Sequence, residues 1–522
     1  MAGRTTALIA LTAIALTACG TRVPDEQFEA LFGGMEANPD GSGGVDANTP
    51  GTGSGDLSGL APSGGSTAAP GAGGDTPADD GATAGAPGSG TTAGSGPGTG
   101  TGSTGNAGGS GAGAGTSGDT GAAPNQASDV GVTATSIKVG NIVSLSGALG
   151  PDAFAPSYFG ANAYFEYLNQ SLGGVHGRTV EFITCDDAED PGKNQACVDQ
   201  LLAENVFALV ANATRAYTGA ERISDAGIPD VMGQPIGNPY WTYPGFFAVR
   251  GSEYAQQGEV GYKGRLYGGT TNHLWFKQNL GLTKSAVFYY NVAASKQFGQ
   301  HIADALRSQG FEVTEFEVNF GLPNFDAAVA DMRASGVDNV WDAMDVNGNR
   351  NLCRAMDRNN FQVEAKVTTS QGMGRGISNY SYPCRENIYG GAEAVPYSAT
   401  EFPEVALFQQ VMTTLYQGEF DDRLAQWAWE GWLAAKSFTE VVASMGATPT
   451  RQGLIDFYQN VERYTLGGMF SPLEWTFKDF DSGEEKSDCI IISKWDEARG
   501  DMVIVSENPF CPSAGFVSYE AV

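Results

Sequence analysis

Three consecutive segments decide the fold: IKVGNIV at 137–143, PSYFGANAYFEYLNQSL at 156–172 and TVEFI at 179–183. The outer two are short, with mixed apolar positions, and are predicted strands. The middle segment carries apolar residues at helical spacing on one face, at Tyr158, Ala161, Phe165, Leu168 and Leu172. Gly173 and Gly174 then end the helix. A strand, a helix and a strand in this order predict two parallel strands joined by a right-handed crossover.

The same alternation continues through the rest of the chain. In the first half it predicts strands at 206–211 and 228–232 and helices at 194–204 and 219–226. The second half begins with predicted strands at 285–290, 312–318, 337–344 and 366–369, which alternate with helices at 297–309, 325–335 and 348–359. Helices at 403–416, 425–445 and 451–461 follow, and the last predicted element is a hairpin of 490–495 with 502–506.

The region from about 130 to 522 is longer than the roughly 250–300 residues that a single hydrophobic core supports. Two domains are therefore expected within it. The alternating pattern predicts an α/β protein with two lobes, each built on a doubly wound parallel sheet.

Short motifs recur in a fixed order along this region: IKVG at 137–140 with SLSG at 144–147, YFEYLNQSLGGVHG at 164–177, DD at 186–187 with DP at 190–191, AGIP at 226–229 and KQFG at 296–299. Through their order and spacing, the chain from Ile137 to the C-terminus resembles the periplasmic binding proteins of the leucine/isoleucine/valine type. The resemblance implies the type I fold of that family, in which a hinge joins two lobes around a ligand cleft. It also implies three crossings between the lobes. The first lobe would be about 130–266 with 392–470, and the second about 267–391 with 471–522.

The loops after the strands are the candidate ligand-binding segments, because open parallel sheets bind ligands outside the carboxyl ends of their strands. In the first lobe they contain Ser146, Gly147, Asp152, Phe154, Ala213, Thr214, Tyr217 and Gln234. The resemblance adds Phe298, Asp345 and Gln371, at the positions of two aromatic ligand contacts and one acidic contact. Backbone N–H groups and hydroxyls suit an anionic ligand group, aromatic rings cover an apolar body, and a carboxylate pairs with a ligand cation.

Two positions depart from the pattern of the amino-acid binders in this family. Gln371 stands where they carry the Glu that binds the ligand ammonium, and Asp345 stands in place of an aromatic residue. Either Asp345 has taken over the charge or the ligand is not an α-amino acid. Amides, urea-like molecules, organic acids and aromatic compounds all remain open.

The N-terminus predicts export. One basic residue, Arg4, precedes the short apolar run Thr5–Thr17, which is too short to span a bilayer and is typical of a signal peptide. The run ends in LTACG at 16–20, which resembles a bacterial lipobox. The resemblance implies that residues 1–18 are removed and that Cys19 is lipidated, anchoring the protein to the outer face of the cell membrane.

Residues 19–129 are predicted to form a disordered tether between this anchor and the folded region. From 35 to about 128 the sequence is almost wholly Gly, Ser, Thr, Ala, Pro and Asp. Such a composition buries too little apolar surface to offset the entropy of ordering.

Six cysteines remain after Cys19, and an even number in an exported chain favours disulfides. Six cysteines allow 15 pairings. Proximity along the chain suggests Cys185 with Cys197, Cys353 with Cys384, and Cys489 with Cys511.

Composition argues against several classes of function. The formal net charge of −30 disfavours nucleic acid and anionic membrane surfaces, which attract basic proteins. The three histidines, His176, His273 and His301, show no metal-ligand spacing, and His301 is predicted on a surface helix. Without a recognisable nucleophile, base or metal set, we expect neither an enzyme nor a bound cofactor or metal.

The sequence therefore predicts an extracytoplasmic lipoprotein that captures a small polar solute, such as an amino acid, an amide or a related compound, in an interlobe cleft. Its expected partner is the permease and ATPase complex of an ABC importer, and its expected contact with the membrane is the lipid alone. The alternative is a receptor domain that senses the ligand and signals to a membrane partner without transport.

Overall fold

A computed structural model describes residues 124–251, 259–417, 423–476, 478–482 and 488–521. The predicted signal peptide 1–18, the lipidation site Cys19 and the tether as far as residue 123 lie outside these residues. Gln126, Ser128 and Asp129 already make hydrogen bonds to Ala447, Pro449 and Arg451. Contacts with the folded unit therefore begin a few residues before the predicted boundary near Val130.

The first lobe is built on a parallel sheet of five strands in the order β2-β1-β3-β4-β5. The strands are β1 (Ser136–Val143), β2 (Thr179–Asp186), β3 (Ala208–Val210), β4 (Asp230–Gly233) and β5 (Phe246–Ala248). The helices that follow β1, β2 and β3 are α1 (Ala155–Ser171), α2 (Pro191–Glu204) and α3 (Ala220–Asp225). The strand order reverses between β1 and β3, as it does in doubly wound folds.

The second lobe repeats this topology. Its main sheet contains β7 (Lys284–Tyr290), β8 (Glu312–Val318), β9 (Asn339–Ala343), β10 (Ala365–Thr368) and β11 (Ile388–Ala392), which are parallel and ordered β8-β7-β9-β10-β11. An antiparallel hairpin, β12 (Ile491–Asp496) and β13 (Asp501–Ile504), extends the sheet beyond β11. Separately, β6 (Arg265–Gly269) pairs with β14 (Phe516–Glu520). The helices of this lobe are α4 (Thr271–Leu280), α5 (Ala293–Ser308), α6 (Phe325–Ser335) and α7 (Val346–Arg358).

After β11 the chain returns to the first lobe and forms α8 (Pro403–Leu415), α9 (Gln426–Ser444) and α10 (Arg451–Asn460). The ring of Trp432 on α9 lies 5.0 Å from that of Tyr164 on α1, and Tyr458 on α10 stacks at 5.0 Å on Phe247 of β5. The chain then re-enters the second lobe at β12. Both lobes are therefore assembled from separate stretches of sequence, and the chain passes between them three times.

The segments that cross between the lobes run beside one another. Ser471 N donates to Glu393 O at 2.6 Å, and Trp475 Nε1 donates to Ala248 O at 2.7 Å. A Cβ at Gly251 would lie 2.9 Å from Glu474 O. These close backbone approaches gather the crossings into one hinge region.

The structure contains the three disulfides suggested by proximity along the chain, Cys185–Cys197, Cys353–Cys384 and Cys489–Cys511. The first ties the end of β2 to α2, and the second ties α7 to the segment before β11. Among the described helices, none has both the length and the apolar character needed to cross a bilayer.

The contact between α1 and α9 requires glycine at two positions. A Cβ on Gly160 would lie 1.6 Å from Ala428 O, and one on Gly431 would lie 2.0 Å from Ser157 O. We expect Gly160→Ala to force these helices apart and to lower the free energy of unfolding by about 1–3 kcal/mol. Urea denaturation measures this loss.

The matched control is Gly376→Ala, because a Cβ at Gly376 meets no atom of the described residues within 4 Å. Equal stability of the two variants would contradict the close packing of α1 on α9.

Candidate functional site

A cavity of about 320 Å³ lies between the lobes, at the carboxyl ends of both sets of parallel strands. From the first lobe its wall includes residues that follow β1, β3, β4 and β5: Leu149, Phe154, Arg215, Ile236 and Arg250. From the second lobe it includes residues that follow β7, β8, β9, β10 and β11: Phe298, Phe320, Asp345, Gln371 and Glu393. Residues that follow nine of the ten core parallel strands therefore lie on the wall of one cavity.

Side-chain hydrogen bonds connect the lobes around this cavity. Gln297 Nε2 donates to Asn238 Oδ1 at 2.8 Å, Asn347 Nδ2 donates to Leu149 O at 2.9 Å, and Gln371 Nε2 donates to Ala153 O at 2.6 Å. Each joins a residue that follows a second-lobe strand to a loop of the first lobe. The position of one lobe against the other thus depends on side chains at the cavity, where Gln297 and Gln371 form part of the wall.

The structure places four of the predicted site residues on the cavity wall: Phe154, Phe298, Asp345 and Gln371. The ring of Phe154 lies 6.3 Å from that of Trp427, and the ring of Phe298 lies 6.0 Å from that of His301. These rings supply apolar surface.

Asp345 is buried and already fully bonded. Its carboxylate accepts from Asn347 N at 3.0 Å and Gly348 N at 3.1 Å at the start of α7, and from Tyr290 Oη at 2.6 Å. The helix N-terminus therefore balances its charge. Asp345 caps a helix at the wall and supplies no free charge to the cavity.

The remaining predicted residues of the first lobe do not lie on the described part of the wall. Ser146 donates to Asp186 Oδ2 at 2.6 Å, Gly147 packs against the side chain of Glu189, and Asp152 is exposed. The loop after β1 is thus bonded to Asp186, the last residue of β2, and to Glu189 just beyond it. It is held beside the cavity.

Ala213, Thr214, Tyr217 and Gln234 are buried inside the first lobe. Thr214 donates to Asp187, Tyr217 stacks on Phe246 with ring centroids 5.6 Å apart, and Gln234 Nε2 donates to Glu430 Oε2 at 2.8 Å. In this structure the Thr214 and Tyr217 hydroxyls and Gln234 Nε2 bond within the lobe, while Gln234 Oε1 has no partner among the described residues.

Two charged residues that the sequence analysis missed, Arg250 and Glu393, face each other on the cavity wall with about a quarter of each side chain exposed. Arg250 Nε lies 3.9 Å from Glu393 Oε2 and makes no hydrogen bond to the residues that the structure describes, while Arg250 Nη2 donates to Ser370 Oγ at 2.7 Å. Trp427 Nε1 donates to the same hydroxyl at 3.0 Å. The guanidinium is thus fixed in position but still has a free donor.

Burial raises the pKa of several carboxyl groups at this site. It raises the pKa of Glu393 to about 7, against the partly opposing effect of Arg250. It also raises the pKa of Glu430 and of Asp488. Glu393 is therefore partly protonated at neutral pH and gives the cavity less negative charge than a fully ionised carboxylate would.

Arg215 is a second cation on the wall, and its Nε likewise makes no hydrogen bond to the described part of the chain. That nitrogen lies 3.7 Å from Glu189 Oε2, and Nη2 donates to Glu189 O at 2.6 Å. Arg250 differs in facing Glu393, whose pKa of about 7 lets this carboxyl group become neutral when an anion binds.

The rule that located the predicted residues would also have located Arg250 and Glu393. Arg250 lies two residues after β5, and Glu393 directly follows β11. Neither strand was predicted. β5 contains only three residues, FFA, and β11 contains two glycines, IYGGA, so neither gives a clear strand pattern.

Two histidines also line the cavity. The prediction that His301 lies on a surface helix is wrong, because α5 packs under β6 and β14 and leaves His301 only 8% exposed. His273, on α4, is 4% exposed. A helical pattern alone does not reveal the two-stranded sheet that covers this face of α5.

A family model described as periplasmic binding protein matches residues 136–499. A comparison with curated proteins found no match.

Solved structures share the fold at low sequence identity. A fatty acid ABC transporter substrate-binding protein from Thermomonospora curvata is 19% identical with a TM-score of 0.56, covering 73% of this chain and 95% of its own. A leucine-binding protein from Thermotoga maritima is 12% identical with a TM-score of 0.53, and the match covers 71% of this chain and 97% of that protein. A solute-binding protein of an ABC transporter from R. palustris, solved with benzoate, is 15% identical with a TM-score of 0.53. That match covers 74% of this chain and 99% of the other protein.

The raised pKa of Glu393 predicts a pH dependence of stability. The pKa of Glu393 is about 7 in the folded state, against an ordinary value of 4.5. The contribution of its neutral side chain to folding stability is therefore fully present below about pH 4.5 and is lost as the pH rises through about 7. Glu393→Gln keeps a neutral side chain at all pH values. We expect the variant to match the wild type at about pH 4 and to exceed its free energy of unfolding by up to about 3 kcal/mol at about pH 8.

Urea denaturation at both pH values checks this expectation. Glu364→Gln, at an exposed glutamate of the same lobe, is the control. A difference between Glu393→Gln and wild type that is the same at both pH values would refute the assignment.

Proposed function

Because the chain belongs to the periplasmic binding protein family, we propose that it is the solute-binding component of an ABC importer and holds its solute in the cavity between the lobes. The observation that carries the proposal is the convergence of loops from both sheets on one cavity with a partly unbonded guanidinium in its wall. Members of this family bind substrates outside the cytoplasm and are not enzymes, and two of the solved structures described above are named as ABC transporter proteins.

The solute we propose is a carboxylate with an apolar body, a compound related to the amino acids and amides considered above. Arg250 Nε can donate to a carboxylate oxygen, and because about three quarters of the Arg250 side chain is buried, this charge-assisted hydrogen bond would be strong. Phe154, Phe298 and Trp427 offer rings to the apolar part.

The acids of the cavity are compatible with an anionic ligand. A carboxylate beside Arg250 would compete with Glu393, and with a pKa of about 7 Glu393 can take up a proton as the ligand enters. Arg250 would then pair with the ligand in place of Glu393.

The names of the solved relatives support a ligand of this class. One is described as a fatty acid ABC transporter substrate-binding protein, and two others were solved with benzoate and with 3,4-dihydroxybenzoic acid. All these molecules are carboxylic acids with an apolar chain or ring.

We propose that the solute favours the closed arrangement of the lobes, which the importer then recognises. A ligand shifts such an equilibrium by its difference in affinity for the two arrangements. Gln297, Asn347 and Gln371 bridge the lobes at the cavity edge, so a solute between them would add contacts only when the lobes are together.

The membrane attachment is also a proposal. Cys19 would carry the lipid, and the residues from 19 to about 125 would form a flexible tether that lets the folded lobes reach the permease.

Arg250→Gln tests the proposed anchor. A thermal-shift screen of the wild type with benzoate, phenylpropanoate, octanoate and leucine first selects the carboxylate that raises its melting temperature most. We expect Arg250→Gln to weaken binding of that compound by about 30-fold or more, because losing one partner of a buried charge pair costs about 2–5 kcal/mol. Isothermal titration calorimetry measures the change.

Arg358→Gln, which breaks an exposed ion pair with Asp326, is the matched control and should bind as the wild type does. Equal affinities of the two variants, or no carboxylate bound by the wild type, would count against Arg250 as the anchor.

Cys19→Ser tests the lipid anchor. We expect the wild type expressed in a bacterial host to sediment with membranes and the variant to be released as soluble protein, since serine cannot carry the thioether-linked lipid. Immunoblotting of the two fractions gives the answer, with Cys353→Ser as a control that leaves the anchor intact. If the Cys19→Ser protein stayed in the membrane fraction, the anchor would have to lie elsewhere.

A further inference from the structure

One end of the cavity enters the second lobe and is lined there by His273, His301 and Asn272. His273 and Asn272 lie on α4, and His301 lies on α5. β6, β9 and β14 complete this compartment through Gly268, Trp341 and Tyr519. The side chains named here all come from the second lobe, unlike those of the part of the cavity that the interlobe loops enclose.

Several buried polar atoms at this end have no hydrogen-bond partner in the described part of the chain. They are both ring nitrogens of His273, Nδ1 of His301 and Oδ1 of Asn272. Most buried polar atoms in proteins are partnered, and leaving one unpaired costs free energy. One His273 nitrogen lies near the Thr270 backbone, but the remaining atoms on this stretch of wall indicate partners that come from outside the chain.

Aromatic neighbours hold the two imidazoles in place. His273 stacks on Trp341 with ring centroids 4.6 Å apart, and His301 lies 4.7 Å from the ring of Tyr519. An apolar ring would pack equally well at either position without the cost of unpaired nitrogens. Packing therefore accounts for a ring at each position but not for histidine.

Glycines allow the backbone to approach these side chains. A Cβ on Gly268 would lie 2.0 Å from His301 Cε1, and one on Gly391 would lie 2.8 Å from Asn272 Nδ2. A larger residue at either position would push the polar side chain away from its place. The arrangement of polar groups is thus built into β6 and β11.

Both imidazoles are neutral at physiological pH. Burial lowers the pKa of His273 to about 3, with a further contribution from His301, and lowers the pKa of His301 to about 4. A neutral imidazole offers one N–H donor and one acceptor nitrogen. It suits a hydroxyl group, which can both accept and donate, better than it suits a charged group.

We propose that this compartment is a second subsite, which binds a neutral hydroxyl at the far end of the ligand through His273 and His301. The inference rests on the proposed function, since it takes the other end of the same ligand to be the carboxylate at Arg250. The predicted substrate class is a hydroxylated carboxylic acid with an apolar middle, either aromatic or aliphatic.

Matched ligand pairs test the subsite by isothermal titration calorimetry. The pairs are para-hydroxyphenylpropanoate with phenylpropanoate, and omega-hydroxyoctanoate with octanoate. In at least one pair we expect the hydroxylated member to bind the wild type about tenfold more tightly. In His273→Phe and His301→Phe this preference should fall to within about twofold, while the affinity for the member without the hydroxyl stays within about threefold of wild type.

The matched control is His176→Asn, since His176 lies outside the cavity, where its Nε2 is 2.8 Å from Ala443 O, and asparagine tolerates its positive φ of 51°. This variant should keep the full preference. Circular dichroism and thermal melting establish that each variant is folded.

The two proposals fail in different ways. If the wild type binds both members of each pair equally, or if the preference survives in both histidine variants, the subsite is refuted while the carboxylate site stands. If the wild type binds none of the four acids, the carboxylate class is refuted together with the subsite.

A second readout needs no variant at all. The chain has three histidines, so the imidazole signals in a nitrogen-15 NMR spectrum can all be assigned to individual residues. Addition of the hydroxylated ligand should shift the signals of His273 and His301 and leave that of His176 in place. Unchanged signals of His273 and His301 at saturation would overturn the proposal even if a histidine variant failed to fold.

Discussion

The site depends on a guanidinium placed where the chain passes between the lobes. Arg250 follows β5, and Glu393 follows β11, the strand at the equivalent position of the second sheet. Because the two sheets share one strand order and direct their carboxyl ends to the same cavity, these residues meet across the hinge at 3.9 Å. Burial prevents water from solvating the pair fully, so its charge must be balanced within the cavity. A carboxylate ligand can provide that balance while Glu393 binds a proton.

Most of the fold follows from the sequence because long elements carry their own pattern. The predicted strand 312–318 and helix 325–335 are the elements β8 and α6, and the predicted hairpin after residue 490 is present as β12 and β13. The missed elements, β5, β6, β11, β14 and α4, are short, rich in glycine or weakly amphipathic. Their conformation is decided by partners far along the chain, such as the pairing of β6 with β14, which local patterns do not report.

The site was less predictable than the fold for a related reason. The loop rule identifies which segments reach the cavity, but it does not say which side chains remain available there. Asp345 follows β9 as expected, yet its carboxylate caps α7 and bonds to Tyr290. Thr214 follows β3, yet it bonds to Asp187 inside the lobe. Arg250 was missed because β5 was missed. Competition among polar groups for partners is a three-dimensional property, and one sequence does not reveal it.

A crystal structure of the protein with its tightest-binding carboxylate tests the account most directly. The account predicts ligand density inside the cavity, with a carboxylate oxygen within hydrogen-bond distance of Arg250 Nε and the apolar body against Phe154 and Trp427. A carboxylate bound instead at the loop of Ser146 and Thr214, or a ligand outside the cavity altogether, would contradict it.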